Sequence, residues 1–101
     1  MREVDLSALE AAIAAGTPVL DVRQPEEFAE VHVPSAQLIP LGELTGRVGE
    51  VPAGEPVYVI CAAGVRSIKG AEILIAAGRD AVSVAGGTNA WLSSGRPVEG
   101  A

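Results

Sequence analysis

The sequence predicts an α/β domain, with a mainly parallel five-stranded sheet and helices on both faces. Two observations carry this. Short β-branched runs alternate with segments of helical period, and no hairpin signal joins any two of the runs. The most strand-like run, Val57–Ile60, ends at the only cysteine, Cys61, and a helical pattern follows from Arg66. In sheets of this kind ligands bind beyond the carboxyl ends of the strands. Cys61 therefore stands where such a fold would place its site.

Taken in order, Arg2-Glu3-Val4 is a short edge strand. Ser7-Ala8-Leu9-Glu10 has the capping-box pattern, and Leu6, Leu9 and Ile13 follow at helical spacing up to Gly16. Residues 19–22 form an apolar strand interrupted by Asp21. Pro25 suits the first position of a helix whose first turn carries Glu26 and Glu27. Phe28 and Val31 should face inward there, and Pro34 should end the helix. Residues 36–39 are the third strand, stopped by Pro40, and 41–48 a short helix or turn. After a loop over 52–56 comes the Val57–Ile60 strand. The next helix should bury Val65, Ile68, Ala71, Leu74 and Ile75 and stop at Gly78. Ala81–Val84 is the fifth strand, and residues 88–94 are a last helix around Trp91.

Apolar residues make up 49% of the 101-residue chain, but only 3% are aromatic, so its core is mostly Val, Ile, Leu and Ala. That is enough for one domain, and residues 1–101 are read as a single one. The net charge of −6 is uneven. Residues 1–50 hold nine acids against Arg2, Arg23 and Arg47, whereas residues 51–101 hold four acids and four bases. Such a balance argues against nucleic acid as a partner. No apolar run approaches a membrane span, and the N-terminus has no apolar signal region. One cysteine cannot form an internal disulfide. The expectation is a cytoplasmic monomer. One His and one Cys do not make a standard zinc site, and no cofactor or metal is expected.

The chemistry centres on Cys61-Ala62-Ala63-Gly64-Val65-Arg66. Backbone N–H groups just before a helix N-terminus lack partners, and the macrodipole there favours negative charge. A thiolate at the rim of that loop would be stabilised by the N–H groups and by the Arg66 guanidinium, which lowers its pKa. Ala62, Ala63 and Gly64 leave a backbone cradle unobstructed, and Gly64 can take a positive φ. The six-residue span suits a single atom bonded to sulfur, and a loop one residue longer has the wider bowl that phosphate needs. The bland reading of Cys61 is a small buried hydrophobe.

With Asp21-Val22-Arg23 upstream and Gly86-Gly87-Thr88-Asn89-Ala90-Trp91 downstream, this loop resembles that of a single-domain rhodanese, a sulfurtransferase. The resemblance runs over residues 19–98 and implies a rhodanese-like fold. It further implies that the Cys61 thiolate attacks the outer sulfur of a donor such as thiosulfate, releasing sulfite. The resulting persulfide is then attacked by a thiophilic acceptor, cyanide in an assay or a thiol in the cell. The N–H groups of Ala62, Ala63, Gly64, Val65 and Arg66 would stabilise the outer sulfur as an oxyanion hole does oxygen. No second cysteine is present to resolve the persulfide, so the sulfur must pass to another molecule.

Arg66 is expected to contact the anion, the alternative being a carboxylate pair that braces the loop. Neither Ala62 nor Val65 bears a charge, so the loop supplies a single cation. Lys69 extends the positive rim or pairs with Glu72. Ser67 braces the helix start or reaches the sulfur. Asp21 and Arg23 are structural supports, with Arg23 pairing one of the nearby acids such as Glu27. His32 in His32-Val33-Pro34 has a structural loop role. Val31 and Ser35 stand where the family commonly has glycine. Gly86-Gly87 is expected to approach the cysteine loop closely. Three other readings are a phosphatase or arsenate reductase of the same fold, a persulfide carrier or sensor that docks on a partner protein, and a purely structural interaction domain.

Overall fold

The computed structural model describes residues 1–100, one short of the expected domain span of 1–101. Five strands, β1 (Arg2–Val4), β2 (Val19–Asp21), β3 (Ala36–Leu38), β4 (Val57–Ile60) and β5 (Ala81–Val84), form one sheet in the order β1-β5-β4-β2-β3. Every pairing is parallel. Helices α1 (Leu6–Ala14), α2 (Pro25–Glu30), α3 (Leu41–Arg47), α4 (Arg66–Ala76) and α5 (Gly87–Ser93) connect or follow the strands, with a 3-10 turn over Val48–Glu50. The five strands and five helices are those the sequence predicts, with most bounds shifted by one or two residues; α2, expected to run up to Pro34, ends at Glu30, and Val31 is already extended. None of the described helices is long and apolar enough to cross a membrane.

The strand period of two sorts side chains into two cores. Val57, Val59 and Cys61 of the β4 segment pack with Leu20, Val22, Leu44, Ala71 and Leu74, beneath α3 and α4. Ile60 turns the other way and packs with Leu9, Val19, Val84 and Trp91, beneath α1 and α5. A fully buried Val or Leu side chain contributes about 1.5–3 kcal/mol, and at least ten such residues are spread over the two layers. The strands can therefore be short, because both faces of each one are covered.

Local signals differ from the expectations in three places. Asp5, not Ser7, caps α1: its Oδ1 accepts the Ala8 N–H at 2.9 Å, so the helix begins two residues earlier than the capping-box pattern indicates. In α4 the buried residues are Ser67, Gly70, Ala71 and Leu74, whereas Val65 is 75% exposed and Ile75 also faces solvent. The Cα of Gly70 approaches the sheet closely, since a Cβ there would lie 3.0 Å from a Val59 methyl. Ala71 and Leu74 are buried as expected, and the face of α4 that closes on the sheet runs through Ser67 and Gly70 beside them. Helix α2 buries no residue, and Phe28, expected to point inward, is half-buried and stacks on His32 with ring centroids 3.8 Å apart.

Ser35 adopts φ 73°, a left-handed conformation in which glycine is the least strained residue. The loop thus keeps a glycine-like shape where the sequence has serine.

Candidate active site

The site is built at the carboxyl ends of β2 and β4. Backbone pairing continues past β2, with the Val22 N–H donating to Ile60 O at 3.0 Å, and this holds the two strand ends side by side. Asp21 and Arg23 are buried there. Asp21 Oδ2 accepts Arg23 Nη2–H at 2.8 Å, and Oδ1 accepts Arg23 Nε–H and N–H, both at 3.0 Å. Arg23 also donates to Val31 O at 2.8 Å, so the pair ties the β2 end to the C-terminal end of α2. The expected partner of Arg23 was a nearby acid such as Glu27. The structure instead gives it Asp21, two residues away on the same strand face, and only the main-chain oxygen of Glu27 lies within its reach.

Cys61 follows β4 and is 1% exposed. It lies beneath the loop rather than at its rim, which corrects the sequence expectation. The Gly64 N–H donates to Sγ at 3.1 Å, and Ser67 Oγ lies 3.4 Å from Sγ. The thiol donates to that hydroxyl, and once it ionises the hydroxyl turns to donate to sulfur. Ser67 Oγ is also 2.7 Å from Ser83 Oγ on β5. Burial pushes the Cys61 thiol up. The Ser67 hydroxyl and N–H, with the N–H groups of Gly64 and Ala63, outweigh it and hold the thiol below its ordinary value. Replacing Ser67 with alanine is therefore expected to move the alkylation profile of Cys61 with iodoacetamide to higher pH. A thiolate favoured in the folded protein reacts at lower pH, and losing one of its donors reverses that.

The cradle thus draws on Ala63, Gly64 and Ser67. Ser67 does not cap α4, since Val65 occupies that position. Ala62 serves the site through its carbonyl, which accepts the Asn89 N–H at 2.9 Å, and Cys61 O accepts the Thr88 N–H at 2.8 Å. The start of α5 grips the loop from behind. This is the close approach expected of Gly86-Gly87: a Cβ on Gly87, at φ 59°, would lie 2.5 Å from Cys61 O and 2.6 Å from Ala62 O. A Gly87→Ala variant is expected to lose about 2 kcal/mol, from left-handed strain and a displaced loop. Chemical denaturation of the two proteins measures it.

Arg66, the first residue of α4, does not stand free. Its Nη1 and Nη2 donate to Glu27 Oε1 and Oε2 at 2.8 and 3.0 Å, a bidentate pair that links α4 to α2. Of the two roles open to Arg66 in the sequence, the resting structure holds the carboxylate pair. The Arg66 hydrogen bonds and the Gln24 N–H lower the Glu27 carboxyl from 4.5 to about 2. The pair's contribution to stability is present above pH 4.5 and is lost as pH falls toward about 2.

His32 sits apart from this cluster. Its Nδ1 is 2.8 Å from Phe28 O, its Nε2 is 3.5 Å from a Glu99 carboxylate oxygen, and its main chain bridges Glu99. Lys69 is exposed on α4.

Two residues of the site escape the sequence reading. Ser83 lies two positions from Ala81 on β5, hence on the face beneath α4, and a buried hydroxyl there needs a partner. Alternation along β5 carries that signal. Glu27's partnership with Arg66, 39 residues away, carries none.

Comparison with known proteins agrees with this architecture. Residues 5–94 match the family model of the rhodanese-like domain. A sulfurtransferase of Allochromatium vinosum is 31% identical over 97% of this chain and 94% of its own. The putative sulfur carrier protein YrkF of Bacillus subtilis is 35% identical over 72% of this chain, and the match spans only 40% of that longer protein. The crystal structure of a rhodanese-related protein from Thermoplasma volcanium superposes with a TM-score of 0.89 at 33% identity, covering 98% of each chain. A parallel sheet of order β1-β5-β4-β2-β3, a cysteine cradled after its central strand and a family match over most of the sequence lead to one assignment: this chain belongs to the rhodanese-like domain family.

Proposed function

We propose that the protein is a sulfurtransferase that moves sulfane sulfur from a donor, thiosulfate or a persulfide, to a thiophilic acceptor through a persulfide on Cys61. The observation that carries this reading is the Cys61 sulfur itself. It is buried, yet the Gly64 N–H 3.1 Å away and the Ser67 hydroxyl 3.4 Å away favour its thiolate. A thiolate so held is a competent nucleophile without a separate base. It attacks the outer sulfur of the donor, and the donor's sulfite or thiolate departs with the electron pair of the broken S–S bond. The same N–H groups then face the negative charge of the new persulfide. An acceptor, cyanide in an assay or a thiol in the cell, attacks the outer sulfur and regenerates the thiolate. Ala62, Val65 and Arg66 complete the loop, and Asp21 and Arg23 support it from β2. A cytoplasmic setting, where thiols stay reduced, fits this chemistry.

The six residues from Cys61 to Arg66 support sulfur over a phosphoryl group. A second reading, a persulfide carrier that docks on a protein and turns over little alone, draws support from Val65, an apolar loop side chain 75% exposed.

Intact mass after incubation with thiosulfate or cysteine persulfide tests the reading. The expected result is a gain of one sulfur atom in the wild type, none in Cys61→Ser, and loss of the added mass on cyanide with thiocyanate appearing. No adduct with either donor would overturn it.

A further inference from the structure

We propose that Glu27 determines donor specificity: by occupying the Arg66 guanidinium it turns the site away from dianionic donors such as thiosulfate and toward persulfides bearing a single charge at the reacting end. The proposal rests on the persulfide reading of Cys61 given above.

Arg66 is the single cation the loop supplies, and both of its outer nitrogens already point at Glu27. The fork that would receive an oxyanion is filled by a carboxylate of the same shape. Glu27 is fixed from its other side as well, since Oε1 accepts the Gln24 N–H at 2.9 Å in a capping box. The neighbouring guanidinium, Arg23, is 4% exposed and is spent on Asp21 and Val31 O. A cavity of about 240 Å³ beside the loop is walled by Glu27 and Glu30 along with Arg23, Ala62 and Asn89. Glu30 and the paired Glu27 line this cavity, and neither nearby guanidinium group is free to meet an incoming dianion.

The two donors differ in what they bring to that surface. With thiosulfate, the outer sulfur bonds to Sγ, the S–S bond breaks and sulfite leaves with the electron pair. The encounter adds a dianion to the Cys61 thiolate. With a hydropersulfide, the outer sulfur bonds to Sγ and a thiolate leaves, and at most one charge arrives at the reacting end. Both steps balance without an external oxidant. Like charge facing like charge lowers encounter and binding, so the penalty falls on thiosulfate.

Glu27→Gln removes the charge while its amide oxygen can still accept the Gln24 N–H, which preserves the cap of α2. The rate constant for adding one sulfur to Cys61 is read by intact mass under single-turnover conditions, with thiosulfate and with cysteine persulfide. The variant is expected to gain about tenfold or more with thiosulfate and to change less than about twofold with cysteine persulfide. An unchanged ratio between the donors, or an equal loss with both, would overturn the proposal and leave Glu27 a brace. Two further measurements stand if the variant folds poorly. In the wild type the thiosulfate rate constant should rise with ionic strength more steeply than the persulfide one, because salt screens repulsion; a fall would contradict the proposal. In Glu30→Gln, where the Glu27–Arg66 pair remains, thiosulfate should gain modestly over persulfide, and a loss would count against a repulsive wall.

A separate arm reads anion binding alone. Sulfate should protect Cys61 from iodoacetamide better in Glu27→Gln than in the wild type, and equal protection would overturn the proposal. If neither donor adds sulfur to the wild type, the persulfide reading fails, while this arm still reports whether Glu27 withholds Arg66.

Discussion

On the proposed persulfide mechanism, replacing Cys61 with serine is expected to lower sulfur transfer at least about a thousandfold, since the variant would lose the nucleophile and not merely a contact. A serine hydroxyl does not ionise near neutral pH and forms no persulfide. The cradle would survive, because a serine oxygen can take the hydrogen bonds that Gly64 N–H and Ser67 supply to sulfur. The fold should therefore be retained, with stability within about 1 kcal/mol of the wild type. Thiocyanate formation, measured beside a thermal melt, separates the two effects. A folded serine variant that keeps a tenth of the activity would place the chemistry elsewhere.

Asp21→Asn is expected to be the most damaging single change to stability. Asp21 is fully buried and Arg23 is 4% exposed, and the carboxylate neutralises a guanidinium that cannot shed its proton. Removing one partner of a buried ion pair costs about 3–5 kcal/mol. For a domain of this size that lowers Tm by on the order of 20 °C. Arg23 also holds Val31 O, so the loss should loosen the end of α2 and, through Glu27, the grip on Arg66. A double variant, Asp21→Leu with Arg23→Met, should be less destabilised than Asp21→Asn, because no charge remains buried. Calorimetry on the three proteins decides it. Equal melting temperatures for Asp21→Asn and the wild type would mean that the pair does not hold the β2 end.

Five strands, five helices and the position of the cysteine were legible from residue type and spacing. Val57–Ile60 is β-branched, aromatic and bounded by Pro56 and Cys61, so its strand follows from local chemistry. The close approach of Gly86-Gly87 was legible because two glycines before a helix leave no side chain to keep another backbone away, and the backbones of Cys61 and Ala62 fill that space. Where the reading missed, a contact from outside the segment had decided the outcome. Ile75 and Val65 are apolar and sit at helical spacing, yet α4 buries Ser67 and Gly70, because the glycine lets the helix axis close on Val59 and the serine finds Sγ and Ser83. The cap of α1 was misplaced by two residues because Asp5 and Ser7 are both good capping residues and the local pattern does not rank them.

The sequence by itself determined the α/β architecture and the tight loop between β4 and α4, with the one cysteine at its start. These depend on the period of apolar residues and on which residues permit a tight loop, and both are properties of neighbours in the chain. Only the tertiary structure decided the pairing of charges: Asp21 with Arg23 and Glu27 with Arg66. Each acid in the first half of the chain could reach a base in principle, and spacing along the chain does not choose among them. The choice is made by the ends of β2 and β4 lying side by side, which brings the start of α2 to the start of α4. That juxtaposition of strand ends is a property of the sheet order, and it fixes which carboxylate holds each cation near the sulfur.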